Sequence, residues 1–290
     1  MDSQTSFPAP RLGFIGGGKL AGSVLRGLVR AKYRPPAEIV VSEPNEAARH
    51  ALENELGISG TAENAEVAKR ADVILIGVKP SVVLPALGDI ASLIEGKLII
   101  SLAAGTRIAS MEKIAKARFM RAMTNTPSTV CRAATALAKG GRTTDDDVAL
   151  AREIFAAIGV VVEIEEDQID AVTGLSGSGP AFVYTVIEAL AQGGEKMGLA
   201  SDAALTLATQ TVLGAAQLAT ESKLSPEELR DMVVTPGGTT AAGLAAMEKL
   251  KTSEGLIAAV IAATKRGREM AEDTSPPNAA SAPITDLDPR

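Results

Sequence analysis

Three short strings carry residue types at spacings from which chemistry can be built. Arg11–Ser23 reads RLGFIGGGKLAGS, an apolar run entering Gly16, Gly18 and Gly22 ahead of a helical stretch. That spacing suits a tight turn at Gly16, close approach of the backbone to a pyrophosphate at Gly18, and close packing of helix on strand at Gly22. A glycine turn alone recurs widely; its place between a strand and a helix at the start of a βαβ unit points to a dinucleotide resting on a helix N-terminus. The second string, DAVTGLSGSGPAFVY at Asp170–Tyr184, places Gly174, Gly177 and Gly179 before Pro180 and an apolar run. Read locally, Pro180 opens a helix over Ala181–Ala191 whose free N–H groups attract an anion or polar ligand. Close helix packing through small residues is the competing reading. The third, VTPGGTTAAGLAAME at Val234–Glu248, bends at Pro236, Gly237 and Gly238, and Thr239 and Thr240 then open a helix. Their N–H groups and hydroxyls would hold a small carboxylate without any arginine, unless the threonines are only caps.

The elements that must position these strings fall into two patterns. Leu12–Ile15, Glu38–Val41, Val73–Val78 and Leu98–Ala103 are predicted strands, and Leu20–Ala31, Glu46–Leu56, Asn64–Lys69 and Val82–Ile94 the helices between and after them. This βαβ rhythm predicts a doubly wound sheet covered on both faces. Arg118–Arg121, Thr135–Ala138 and Val160–Ile164 would extend it, with Val148–Ala157 helical, and the boundary is placed near Glu165. Beyond it, residues 180–200, 202–221, 225–233 and 239–270 read as helices. The helix over 202–221 is apolar or small around most of its circumference, which calls for a partner subunit. The fold class expected is α/β: an N-terminal Rossmann-like doubly wound sheet followed by an all-α C-terminal dimerisation domain. The expected division is 1–10 flexible, 11–164 dinucleotide-binding, 165–274 substrate and dimerisation, 275–290 disordered.

Composition excludes some classes. A 290-residue chain with 46% hydrophobic residues can build two cores. Its 29 basic and 35 acidic residues give a net charge of −6, and no basic block interleaved with aromatics argues for nucleic acid. Cys131 is the single cysteine, so no intrachain disulfide and no cysteine-rich zinc site can form, no metal is expected, and a reducing cytoplasm fits. The N-terminus lacks a secretory pattern and no apolar run is long enough to span a bilayer.

Further candidates lie at the strand ends. Ser42–Glu43 follows the second strand where a carboxylate usually takes the adenosine ribose hydroxyls. Glu43 there would repel the extra phosphate of NADP, whereas Ser42 and Asn45 could donate to it if Glu43 swung away. The reading leans to NADH with some NADPH use. GVKP at Gly77–Pro80, LAAG at Leu102–Gly105 and RAMTNTP at Arg121–Pro127 follow later strands.

Taken together, the strings resemble the signatures of pyrroline-5-carboxylate reductases, in order and from about Arg11 to about Met270. The departures are Thr235, where many relatives have Ser, and Gly22, where many have Ala. The resemblance implies reduction of 1-pyrroline-5-carboxylate to L-proline by NADH or NADPH, in a homodimer with a larger homo-oligomer left open. It places the cofactor at Ile15, Gly16, Gly17, Gly18, Lys19, Leu20, Ser42, Glu43, Asn64, Val78, Lys79, Pro80, Ala103, Ala104 and Asn125. The substrate falls at Glu166, Thr173, Ser176, Gly238, Thr239 and Thr240; the proton the reaction needs comes with the substrate's own iminium form or is met by the Thr240 hydroxyl, the catalytic candidate, hydrogen-bonded to the ring nitrogen. His50, the only histidine, lies in a charged stretch and offers no general acid. Two other readings are a β-hydroxyacid dehydrogenase using Lys196, and a non-catalytic dinucleotide sensor.

Overall fold

The computed structural model describes residues 11–273; the segment 1–10 and the tail 275–290 named above lie outside the described residues. One sheet contains β1 (Leu12–Ile15), β2 (Ile39–Ser42), β3 (Ser59–Thr61), β4 (Val73–Ile76), β5 (Leu98–Ser101), β6 (Arg118–Met123), β7 (Ala133–Lys139) and β8 (Gly159–Glu163). The strand order is β3-β2-β1-β4-β5-β6-β7-β8. Strands β1 to β6 are mutually parallel, and the order reverses direction at β1, between β2 and β4. Helices α1 (Lys19–Arg30), α2 (Glu46–Leu56), α3 (Asn64–Arg70), α4 (Pro80–Ile90), α5 (Ile108–Glu112), α6 (Asp145–Ala156) and α7 (Ile169–Val172) follow in chain order.

Alternation along each strand divides the core between the two faces. Phe14, Val41, Leu75 and Ile100 join Leu25, Leu28 and Phe155 on one side. Ile15, Ile74, Ile76 and Ile99 join Leu87 and Phe119 on the other. The apolar four-residue runs are therefore buried along their whole length, as strands sandwiched between helices must be.

Several boundaries differ from expectation. β3 is a three-residue edge strand with no apolar run to announce it. β7 runs antiparallel to β6, because the connection between Met123 and Ala133 is too short for a parallel crossover. α6 begins at Asp145, ahead of the apolar run, because Thr144 and Asp147 close a capping box there. Pro80 occupies the first position of α4, which then ends at Ile90.

The Gly/Ser cluster departs most from its local reading. Thr173–Gly177 is a π-helical turn continuing α7, and Ser178 that follows it also has right-handed helical angles. The Thr173 hydroxyl donates to the Ile169 carbonyl (2.9 Å) and the Ser176 hydroxyl to the Val172 carbonyl (3.2 Å). No free helix start exists at Pro180. The cluster is a widened turn inside a helical run, a feature that often marks functional positions.

The described residues form two compact units, one running to Gly177 and resuming at Thr264, the other Ser178–Ala263. The second unit is helical: α8 (Gly179–Lys196), α9 (Ser201–Glu221), α10 (Pro226–Asp231), α11 (Thr239–Lys249) and α12 (Thr252–Asp273), whose last turns belong to the first unit. The run expected as one helix over 239–270 is broken at Lys251, which takes a left-handed φ of 55°. α8 and α9 pair through Ala191, Ala204 and Ala208. Leu205, Leu207, Leu213 and Leu218 on α9 are exposed in the single chain.

Candidate active site

The carboxyl ends of β1, β2, β4 and β5 share one edge of the sheet, at the strand-order reversal where ligands of such sheets bind. Ile15 is buried at the end of β1, and Gly16 turns the chain with φ +90°, its N–H donating to the Ser42 carbonyl (2.9 Å). A Cβ at Gly16 would lie 2.7 Å from Val78 Cγ1, and one at Gly17 2.6 Å from Leu52 Cδ1, whereas Gly18 meets nothing closer than 4.0 Å. Only glycine fits the turn, and the space in front of Gly18 is open. Gly18 caps α1 without any side-chain hydrogen bond, so the N–H groups of Lys19 and Leu20 are free helix-end donors. A negatively charged diphosphate fits that cradle.

Gly22 does not make the close approach expected of it: its nearest neighbour would be the flexible end of Arg26, at 3.0 Å. An alanine there is sterically acceptable. The close approaches belong instead to Gly27, whose Cβ would lie 2.2 Å from the Ser128 carbonyl oxygen, and to Gly77, 2.4 Å from Ala21 Cβ. The sequence reading missed both.

At the end of β2, Glu43 turns toward the glycine turn. Its Oε2 accepts from the Gly17 N–H (3.0 Å) and its Oε1 from the Asn45 N–H (3.0 Å). Ser42 is buried and hydrogen-bonded to Asn64 Oδ1 (2.7 Å), so these two expected cofactor residues hold each other. Val78, Lys79 and Pro80 form the turn from β4 into α4. Ala103 and Ala104 follow β5, with Ala103 buried and Ala104 partly so.

The next strand end is dominated by residues whose role lay hidden in the sequence. Arg121, on β6, is 1% exposed. Its Nη1 donates to Glu166 Oε1 (3.2 Å) and its Nη2 faces the Ala103 carbonyl at 3.5 Å. Glu166 Oε1 also accepts the Ile108 N–H (2.7 Å) at the start of α5. Arg107 Nη2 donates to the buried Asp170 carboxylate (3.2 Å). Burial lowers the Arg121 pKa, and the Glu166 and Asp170 charges oppose that shift. Glu166, expected at the substrate, is thus the counter-charge of a buried guanidinium. A charged residue inside the apolar run FMRAM was the one available signal for Arg121.

Asn125, expected at the nicotinamide, has both ends of its amide engaged. Oδ1 accepts from the Ala134 N–H (3.1 Å) and Nδ2 donates to the Ser176 carbonyl (3.0 Å). It pins the π turn to the sheet. Thr173 and Ser176 spend their hydroxyl protons on backbone carbonyls, as described above.

In the second unit, Gly237 has φ +72°, and a Cβ on Gly238 would fall 2.2 Å from Thr235 Oγ1. The turn brings Gly238 in as the cap of α11 and leaves Thr239 exposed and Thr240 half-buried at its first positions. Neither threonine hydroxyl is a cap, and among the described residues neither has a hydrogen-bond partner. Two free hydroxyls beside free helix-end N–H groups can receive a small anionic ligand. His50 lies exposed on α2 between Glu46 and Glu53, and Lys196 is exposed at the end of α8.

The first unit is therefore a dinucleotide-binding module of the kind found in oxidoreductases. Residues 11–105 match the family described as NADP oxidoreductase, coenzyme F420-dependent, and residues 166–270 match pyrroline-5-carboxylate reductase dimerisation. A pyrroline-5-carboxylate reductase of Glycine max is 41% identical over 270 residues, covering 91% of this chain and 98% of that protein. The solved pyrroline-5-carboxylate reductase of Coxiella burnetii shares 36% identity with a TM-score of 0.83, covering 90% of this chain and 98% of its own. That of Plasmodium falciparum, solved with NADP bound, gives 28% identity and a TM-score of 0.84 over 92% and 100%. The chain belongs to the pyrroline-5-carboxylate reductase family.

Proposed function

We propose that this protein reduces 1-pyrroline-5-carboxylate to L-proline with NADH or NADPH, the last step of proline biosynthesis. The observation that carries the reading is family identity running through both units, at 41% over nearly the whole of a curated relative. It displaces the hydroxyacid-dehydrogenase and sensor readings, neither of which accounts for the Pro236–Thr240 turn. The functional division proposed is 11–164 for the dinucleotide and 165–274 for substrate and dimer, whereas the compact units divide after Gly177 and the chain rejoins the first unit at Thr264.

When bound, the reduced nicotinamide supplies a hydride for the imine carbon. The chain's own contributions are positional and electrostatic. The start of α1 holds negative charge with its N–H groups. The free N–H groups at the start of α11, with Thr239, take the substrate carboxylate. The Thr240 hydroxyl hydrogen-bonds the ring nitrogen, and the proton that makes the imine electrophilic arrives on the substrate, because the only histidine lies on α2 with two glutamates.

A cytoplasmic homodimer is part of this reading. It is supported by the single cysteine, by the match to a dimerisation family, and by the exposed leucines of α9. No helix among the described residues is long and apolar enough to cross a membrane. Steady-state oxidation of NADH or NADPH with pyrroline-5-carboxylate tests the activity, and absence of turnover refutes it. Thr240→Ala is expected to lower kcat/KM for the imine roughly tenfold while leaving dinucleotide affinity intact. Ala215→Arg, on α9, is expected to dissociate the dimer and abolish activity together, as a buried charge would in an apolar interface; a fully active monomer in sedimentation would overturn the dimer.

A further inference from the structure

The end of β2 carries information on which dinucleotide the chain selects. The residues that could receive a 2′-phosphate there are Ser42, Asn45, Asn64 and Arg49, and each has at least one polar atom already engaged. Ser42 is fully buried, its hydroxyl bonded to Asn64 Oδ1 at 2.7 Å with the Phe14 carbonyl at 3.4 Å. Asn45 caps α2, its Oδ1 accepting the Ala48 N–H at 2.9 Å. Arg49 turns Nη1 onto the Glu43 carbonyl at 2.8 Å.

Glu43 is placed in the opposite sense. Two backbone N–H groups, from Gly17 and Asn45, each hold one carboxylate oxygen at 3.0 Å. The negative charge is therefore fixed beside the glycine turn and does not swing to solvent. Swinging it away would cost two charge-assisted bonds and leave the Gly17 N–H unpaired.

We propose that Glu43 makes this chain an NADH enzyme: the carboxylate fixed between the Gly17 and Asn45 N–H groups accepts from an adenosine ribose bearing both free hydroxyls and repels one bearing a 2′-phosphate. This rests on the proposed activity for its kinetic readout only. The preference runs against the NADP bound in the Plasmodium falciparum relative, so it is a property of this chain's own strand end. An acceptor-only carboxylate matches a pair of hydroxyl donors and mismatches a dianionic phosphate. One fixed charge of this kind is expected to discriminate by about ten- to a hundredfold.

The test uses the full-length protein. Fluorescence titration with NADH and with NADPH, without any imine, gives the Kd ratio, so binding is read even if pyrroline-5-carboxylate proves not to be the substrate. Wild type is expected to bind NADH at least tenfold more tightly. Glu43→Gln keeps the shape and an acceptor for the Gly17 N–H but removes the charge, and should improve NADPH relative to NADH by about tenfold or more. The kcat/KM ratio with the imine should move the same way. An NADPH preference in wild type, or an unmoved ratio in Glu43→Gln, overturns the proposal. So does Arg49→Gln weakening NADPH selectively by a comparable factor, which would make the strand end a phosphate site; an Arg49→Gln ratio that stays near wild type supports it.

Discussion

Replacing Glu166 with glutamine removes one negative charge while keeping the side chain's length and an oxygen that can still accept the Ile108 N–H. The side chain left behind is Arg121, 1% exposed and 3.2 Å from the lost charge. Breaking a buried pair by removing one partner costs about 3–5 kcal/mol. Two features reduce that figure here. Glu166 keeps 26% of its side chain exposed, and the Asp170 charge also acts on Arg121. About 2 kcal/mol is the expected loss, after discounting for that exposure and the retained acceptor. For a chain this size that is a fall in Tm of about 3 °C, measured by calorimetry at equal protein concentration because dimerisation couples to unfolding. The double variant with Arg121→Met should recover much of the loss, since a buried charge without a partner costs more than an apolar group of similar length. If Glu166 instead touched substrate, Tm would stay put and kcat/KM for the imine would collapse. That pattern would refute the structural role.

Two other perturbations separate packing from charge. Gly27→Ala should destabilise by about 1–3 kcal/mol, because its Cβ would sit 2.2 Å from a backbone oxygen, whereas Gly22→Ala should change the urea midpoint little; equal midpoints would refute the assignment. Asp147 is buried and paired with Arg118 and the Thr144 cap; burial alone would raise its pKa, but those hydrogen bonds win and hold it below the usual carboxylate value. Its contribution is therefore fully present above the unfolded value of about 3.9 and lost as pH falls through the lower folded value. Asp147→Asn should cost about 1–2 kcal/mol at pH 7 and progressively less below about pH 4, and a difference constant with pH would sink the reasoning.

The strands β1, β4 and β5, the turn at Gly16 and the helical second half could be read from the chain itself, because apolar period, chain-reversing glycines and helix punctuation act over a few residues. So could the family, since its signatures are contiguous strings. Tertiary structure decided what depends on groups distant along the chain. Glu166, expected at the substrate, shows its role as a counter-charge only when Arg121, 45 residues away, is folded against it. Asn125, expected at the cofactor, shows its bracing role only when the Ser176 carbonyl, 51 residues on, takes its amide. Gly22 and Gly27 cannot be ranked by spacing, since only the Ser128 carbonyl across from α1 tells which one a side chain would strike. The cluster after Asp170 has the residue types of a helix start, yet hydroxyls bonding back to carbonyls one turn earlier and the brace from Asn125 accompany a π turn. Local sequence fixes which backbone conformations are cheap; which polar group meets which is fixed only when the sheet brings its strand ends to one edge.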